Sequence, residues 1–201
     1  MAMPGVDENL SRIYILMDKL YSNVLKIFDT IRQLRGDVKR DVTARYVDET
    51  VSLCEELKNE ITREAVLFIA RYQPLGRELI QAENTIKASY DLYRITRYLR
   101  EIAHLDRKVG PLSTLLTEHD WALLDQARTM LEKGYRLYRQ GEGDAMEILE
   151  ADNIIDRAYE EILDEISQSE NVEKRKAVEA LYRRHVERIA DHIVYIVTKI
   201  I

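Results

Sequence analysis

The chain has 201 residues, 46% of them apolar and 33% charged, with 7 Gly, 3 Pro and a formal net charge of -6. So few breakers among so many charges exclude a strand-rich or disordered chain and favour long helices with one wet face. The acidic balance excludes the basic face of a nucleic-acid binder, and the single cysteine, Cys54, excludes an internal disulfide or a cysteine-based metal motif.

Residues 1–5 are too short and too soon followed by charges to read as a signal peptide. No apolar run approaches the roughly 20 residues of a membrane span. A cytoplasmic, soluble protein is therefore expected, with Cys54 a small buried filler. The first helix is marked by Ile13, Leu16, Met17, Leu20, Val24, Ile27, Phe28, Ile31 and Leu34, which recur at intervals of three and four. That spacing lays one apolar stripe along a helix. Gly36 with Asp37 is expected to end it.

A second helix is expected over residues 38–72, with Pro74 stopping it or opening the next. The third covers about 74–104. Gly110-Pro111 is the strongest break in the chain. Three more helices follow at roughly 118–140, 143–167 and 171–201, separated by Gly141-Glu142-Gly143 and Ser167-Gln168-Ser169. No period-two alternation appears. The expected fold is all-α, two tandem antiparallel three-helix bundles at 1–109 and 110–201.

The two halves read as a weak repeat. Leu92-Tyr93-Arg94-Ile95-Thr96-Arg97-Tyr98 parallels Val186-Glu187-Arg188-Ile189-Ala190-Asp191-His192 around a shared Arg-Ile pair. Tyr93 stands opposite Glu187, and Arg97 opposite Asp191.

Acidic pairs four residues apart occur at Asp152 and Asp156 and again at Glu187 and Asp191. Residues at that interval share a helix face, so neighbouring helices would bring four carboxylates together, a set suited to a hard or borderline cation. The bland reading is a solvated acidic face with Arg184 or Arg188 as ion-pair partner. On a helical wheel, Val178, Leu181, Tyr182, Ile189, Ile193, Ile196 and Ile200 form the apolar arc, with Glu187 and Asp191 at its border. His185 and His192 fall inside that arc, away from the acids, and are expected half-buried with backbone hydrogen bonds. Glu101-Ile102-Ala103-His104 is a Glu-X-X-His sequence present once, half of what a di-iron bundle enzyme needs. No nucleophile elbow or Gly-rich phosphate loop occurs. The 12 tyrosines, among them Tyr90, Tyr93, Tyr98, Tyr135 and Tyr138, are expected at core edges.

These segments resemble the PhoU family, regulators of phosphate uptake built from two tandem three-helix bundles. The resemblance rests on Ala70-Arg71-Tyr72-Gln73-Pro74, on Asp152 to Asp156 as the acidic motif of a middle helix, and on Glu187-Arg188-Ile189-Ala190-Asp191-His192 as that of a last helix. His185 matches as well. The chain departs from the pattern in its first half, where Tyr93 and Arg97 replace the last-helix acids and Asp48 is followed by Ser52. It also reads Glu78-Leu79-Ile80 where the family usually has Asp-Leu-Arg.

The resemblance implies a non-enzymatic regulator of phosphate homeostasis at the cytoplasmic side of a phosphate ABC transporter. The expected partners are the transporter's ATPase and, where the host has one, a sensor kinase; membrane association would be peripheral, through the transporter. It also implies a divalent or iron-type metal held by Asp152, Asp156, Glu187 and Asp191, with Glu160 a weaker extra ligand and no metal in the first bundle, where Arg97 would offset an acid such as Asp48. Alternatives are an accessory protein of a single-component phosphate carrier and a metal-dependent helical enzyme or metal-binding protein. Residues 1–5 and 193–201 are expected to support a homodimer.

Overall fold

A computed structural model describes residues 6–36 and 38–198. It consists of α1 (Val6–Arg32), α2 (Arg40–Tyr72), α3 (Arg77–Val109), a single turn α4 (Leu112–Leu115), α5 (Glu118–Gln140), α6 (Ala145–Ser167) and α7 (Lys174–Thr198); a 3-10 turn, Gln33–Arg35, extends α1. No strand occurs among the described residues. Asp37, Ile200 and residues 1–5 and 199–201, which carry parts of the expectations above, lie outside them.

Helices α1, α2 and α3 pack on one another, as do α5, α6 and α7, giving the two antiparallel three-helix bundles. The apolar stripe of α1 is buried without exception, from Ile13 to Leu34. Each such side chain removed from water contributes about 1.5–3 kcal/mol against the entropy of ordering the chain. Cys54 is fully buried on α2, and burial pushes its thiol up to about 12. Leu181 departs from the wheel: it is 51% exposed, at the outer edge of the arc that Val178 and Tyr182 bury.

Local chemistry explains where the helices stop. Gln73, in the left-handed region at φ 45°, ends α2 by donating its amide to the Ile69 carbonyl. Pro74 therefore lies in the connection, and α3 begins only at Arg77. At its far end α3 runs past His104 to Val109, because the Asp106 carboxylate turns back to accept from the Leu112 amide at 2.7 Å and ties α4 onto the helix end. Thr117 and Asp120 form a reciprocal capping box at the start of α5. Inside α5, Gly134 admits α7 closely: a Cβ there would meet Val197 Cγ2 at 3.1 Å.

The bundles join along two seams. Asp91 on α3 meets His192 on α7, while Tyr98 meets His185, so the two helices run antiparallel. Between α1 and α5 the seam is charged. Arg32 and Arg35 hold Asp125 at 2.7 Å, Arg128 holds Asp29 at 3.0 Å, and Asp18 accepts from Tyr135 Oη at 2.6 Å and Arg139 Nε at 3.0 Å.

Candidate functional site

Helices α6 and α7 bring the two acidic pairs to one place. Partial burial, reinforced by the field of Asp156, Asp191 and Glu187, pushes the Asp152 carboxyl up to about 6. Burial first, then Asp191 and Glu160, raise Asp156; burial and Asp191 raise Glu187. Four carboxylates from adjacent helix faces thus feel one another, as the spacing required. Glu160 reaches the group only through its field on Asp156 and is exposed.

Two arginines sit among them. Arg184 Nη1 donates to both Glu187 oxygens, at 2.8 and 2.7 Å, and its guanidinium lies over the Tyr159 ring. Arg188 Nη1 donates to Asp191 Oδ2 at 2.8 Å and its Nε stands 3.4 Å from Glu187. Both pairs are i, i+3 on α7, so the arginines that the repeat places beside the acids neutralise them within one helix. Asp152 and Asp156 on α6 are the acids left over, and of the two Asp152 has a buried oxygen, Oδ1, that accepts no hydrogen bond from a described residue.

This set fits a hard cation in its chemistry, with oxygen donors only, mutual repulsion and one orphaned buried oxygen. In arrangement it does not close. No group of three or more His, Cys, Asp or Glu side chains among the described residues is placed to hold an ion, because arginines occupy Glu187 and Asp191.

The matching place in the first bundle holds different chemistry. Lys58 Nζ on α2 lies 5.1 Å from the centre of the Tyr93 ring, a cation–π contact where the second bundle sets Asp156 near Glu187. Arg94, counterpart of Arg188, donates to Tyr98 Oη at 2.6 Å instead of to an acid. The expected Arg97–Asp48 pair is not formed: Asp48 Oδ1 meets His104 Nε2 at 2.9 Å, and Arg97 is exposed. Helix pairing carries residue 58, not 48 or 52, to the level of Tyr93, so the sequence comparison had α2 out of register. His104, the histidine of the Glu-X-X-His sequence, is occupied by that same contact with Asp48.

The histidines of α7 are half-buried, as their place on the wheel required, but the expected backbone bonds are replaced for His192 by the Asp91 carboxylate, Nδ1 to Oδ1 at 2.9 Å. Burial holds His185 below the usual histidine range. Sequence reasoning missed Asp91 because its partner is about a hundred residues away. It also missed Asp120 and Arg183, both buried: Arg183 Nε donates to Asp120 Oδ1 at 2.8 Å, Nη1 to the Ala158 carbonyl at 2.7 Å, and Nη2 to Glu179. That cluster ties all three helices of the second bundle.

An all-helical protein of two three-helix bundles, joined through equivalent last helices and carrying an acid–arginine ladder on the second, is the class this fold and site define. The family model for the PhoU domain matches residues 122–200. Over 166 residues the chain is 25% identical to a phosphate-specific transport system accessory protein PhoU homolog of Archaeoglobus fulgidus, covering 81% of this chain and 75% of that one. The crystal structure of PhoU from Pseudomonas aeruginosa superposes with a TM-score of 0.82 over 96% of both chains, at 19% identity. Residues 122–200 thus match the PhoU domain, and the chain as a whole is similar in fold to PhoU.

Proposed function

We propose that the chain is a non-enzymatic accessory regulator of phosphate uptake, acting in the cytoplasm by docking on the inner face of a phosphate ABC transporter through its ATPase. The observation that carries this reading is the match over most of the chain to an accessory protein of a phosphate-specific transport system. The architecture supports it: two helical bundles present long polar helix faces, which suit docking. A sensor kinase is a further partner where the host has one. Among the described residues no helix is long and apolar enough to cross a membrane, so contact with the bilayer would run through the transporter.

In this reading Asp152, Asp156, Glu187 and Asp191 are the residues that would hold a divalent or iron-type cation, in competition with Arg184 and Arg188 for Glu187 and Asp191. The ion would supply charge neutralisation across α6 and α7, and the arginines supply it otherwise.

Affinity capture from the native host under high and low phosphate is the test. Recovery of the transporter's ATPase supports the reading; its absence under both conditions overturns it. Recovery of a single-component phosphate carrier instead would assign the chain to that system. Sedimentation at micromolar concentration checks the homodimer, which a monomer would refute.

A further inference from the structure

Where the first bundle hands over to the second lies a small hollow of about 230 Å³. Four segments wall it: the 3-10 turn after α1 with Arg35, the first turn of α2 with Arg40, the end of α3 with Asp106, and the link into α4 with Pro111, Ser113 and Thr114. Drug-sized ligands take roughly 300–1,000 Å³, so this space suits an ion of a few heavy atoms. None of the four acids of α6 and α7 lines it.

Asp106 is 2% exposed, and its two oxygens differ in duty. Oδ1 accepts from the Leu112 amide at 2.7 Å and ties α4 onto α3. Oδ2 is buried, accepts no hydrogen bond from a described residue, and stands 3.9 Å from Nε of Arg40, which walls the same hollow. That separation is too long for a hydrogen bond. Burial raises the carboxyl despite the Leu112 bond and the Arg40 charge, so a further donor at Oδ2 would stabilise its ionised form. Arg35 has the converse shortfall. Its Nη2 holds Asp125 at 2.7 Å and its guanidinium lies over the Trp121 ring, yet its Nε is buried and donates to no described residue. Asp125 neutralises Arg35, which leaves Arg40 as the charge within reach of a ligand.

A ligand that satisfies Asp106 and Arg40 together must donate a proton and present a negative oxygen from neighbouring atoms. A protonated oxyanion does so with adjacent oxygens of one tetrahedron. Orthophosphate keeps at least one proton at neutral pH and sulfate keeps none, so the Asp106 oxygen accepts from the first and repels the second. We propose that this hollow binds inorganic hydrogen phosphate, its P–OH donating to Asp106 Oδ2 and an anionic oxygen accepting from Arg40. The choice of phosphate among protonated oxyanions rests on the phosphate-uptake reading above. The bound ion would bridge the start of α2 to the link between α3 and α4, the segment that joins one bundle to the other.

Isothermal titration of the full chain at neutral pH tests this, with a chelator present so that no metal bridges the anion to the acid ladder. Saturable binding of phosphate is expected, arsenate similar, and sulfate about tenfold weaker or more, because it sets acceptor against acceptor. Arg40→Gln should weaken phosphate about tenfold, the loss of one charge-assisted hydrogen bond. Asp106→Asn keeps an oxygen for the Leu112 amide and makes the other position a donor, so sulfate should then bind at least as well as phosphate. Asp191→Ala should change neither anion. No saturation at millimolar phosphate, sulfate equal to phosphate on the wild-type chain, or an Arg40→Gln chain that binds as before would each overturn the proposal. So would the zwitterion alanine binding more tightly than phosphate. A chain that captures the ATPase yet binds no phosphate loses this site alone, and one that binds phosphate without capturing the ATPase loses the docking reading alone.

Discussion

Tyr98 and His192 occupy the same place in the two halves of the repeat and stack on each other, ring centroids 5.7 Å apart and planes inclined by 28°. The two flanking contacts, Asp91 with His192 and Tyr98 with His185, are counterparts as well. The bundles therefore meet about a local two-fold relation through the same helix of each, and divergence has turned one of two equivalent positions into an aromatic ring and the other into a carboxylate partner.

Asp91→Ala should destabilise the chain by about 1–3 kcal/mol in urea denaturation, since it leaves the half-buried His192 ring nitrogen without its carboxylate. His192→Ala combined with it should cost less than the sum of the two. Strict additivity would mean that the contact contributes nothing.

Asp152→Asn should stabilise the cation-free chain near neutral pH, on the order of 1 kcal/mol once solvent screening of a partly exposed site is allowed for. The folded Asp152 carboxyl titrates near 6, above its ordinary 3.8, so folding favours its protonated form. Wild-type stability from this group is complete below about pH 4 and is lost as pH rises through 6, whereas asparagine keeps it. Melting temperatures from pH 3.5 to 8 should show the advantage growing over that window and vanishing at its acid end.

If a cation occupies the acid ladder, Asp191→Ala should weaken binding of manganese, iron, magnesium or zinc and the stabilisation that follows from it, while Arg97→Ala leaves both unchanged. Arg184→Ala together with Arg188→Ala should tighten binding, because those side chains compete for Glu187 and Asp191. Calorimetry that finds no cation bound in either background rejects the metal and leaves the arginine ladder as the whole of the site.

Arg183→Ala should be among the costliest single changes, about 3–5 kcal/mol in chemical denaturation, because it strands the fully buried Asp120 charge. Arg183→Leu with Asp120→Asn should recover much of that loss. A loss below 1 kcal/mol for the single change would show that water replaces the guanidinium.

Periodicity by itself determined the helices, the stripe of α1 and the face on which Glu187 and Asp191 stand, because these depend on the 3.6-residue repeat and on residues a turn apart. It also located the breaks at Gly36, Gly110 and Gly141. The end of α3 escaped it, since Asp106 closes that end through an amide in the next element. The register of α2 against α3 escaped it too: a helix can slide by whole turns on its neighbour and keep the same apolar face, and only packing set Lys58 on Tyr93 and Asp48 on His104. Spacing brought the four acids to one level but not their partners. That Asp152 keeps a buried oxygen without a hydrogen bond, while the arginines of α7 take Glu187 and Asp191, follows from side-chain positions that spacing does not fix. Asp91 with His192 and Asp120 with Arg183 belong to the same class, polar residues whose burial is tolerable only because a distant segment supplies the counter-charge or the hydrogen bond.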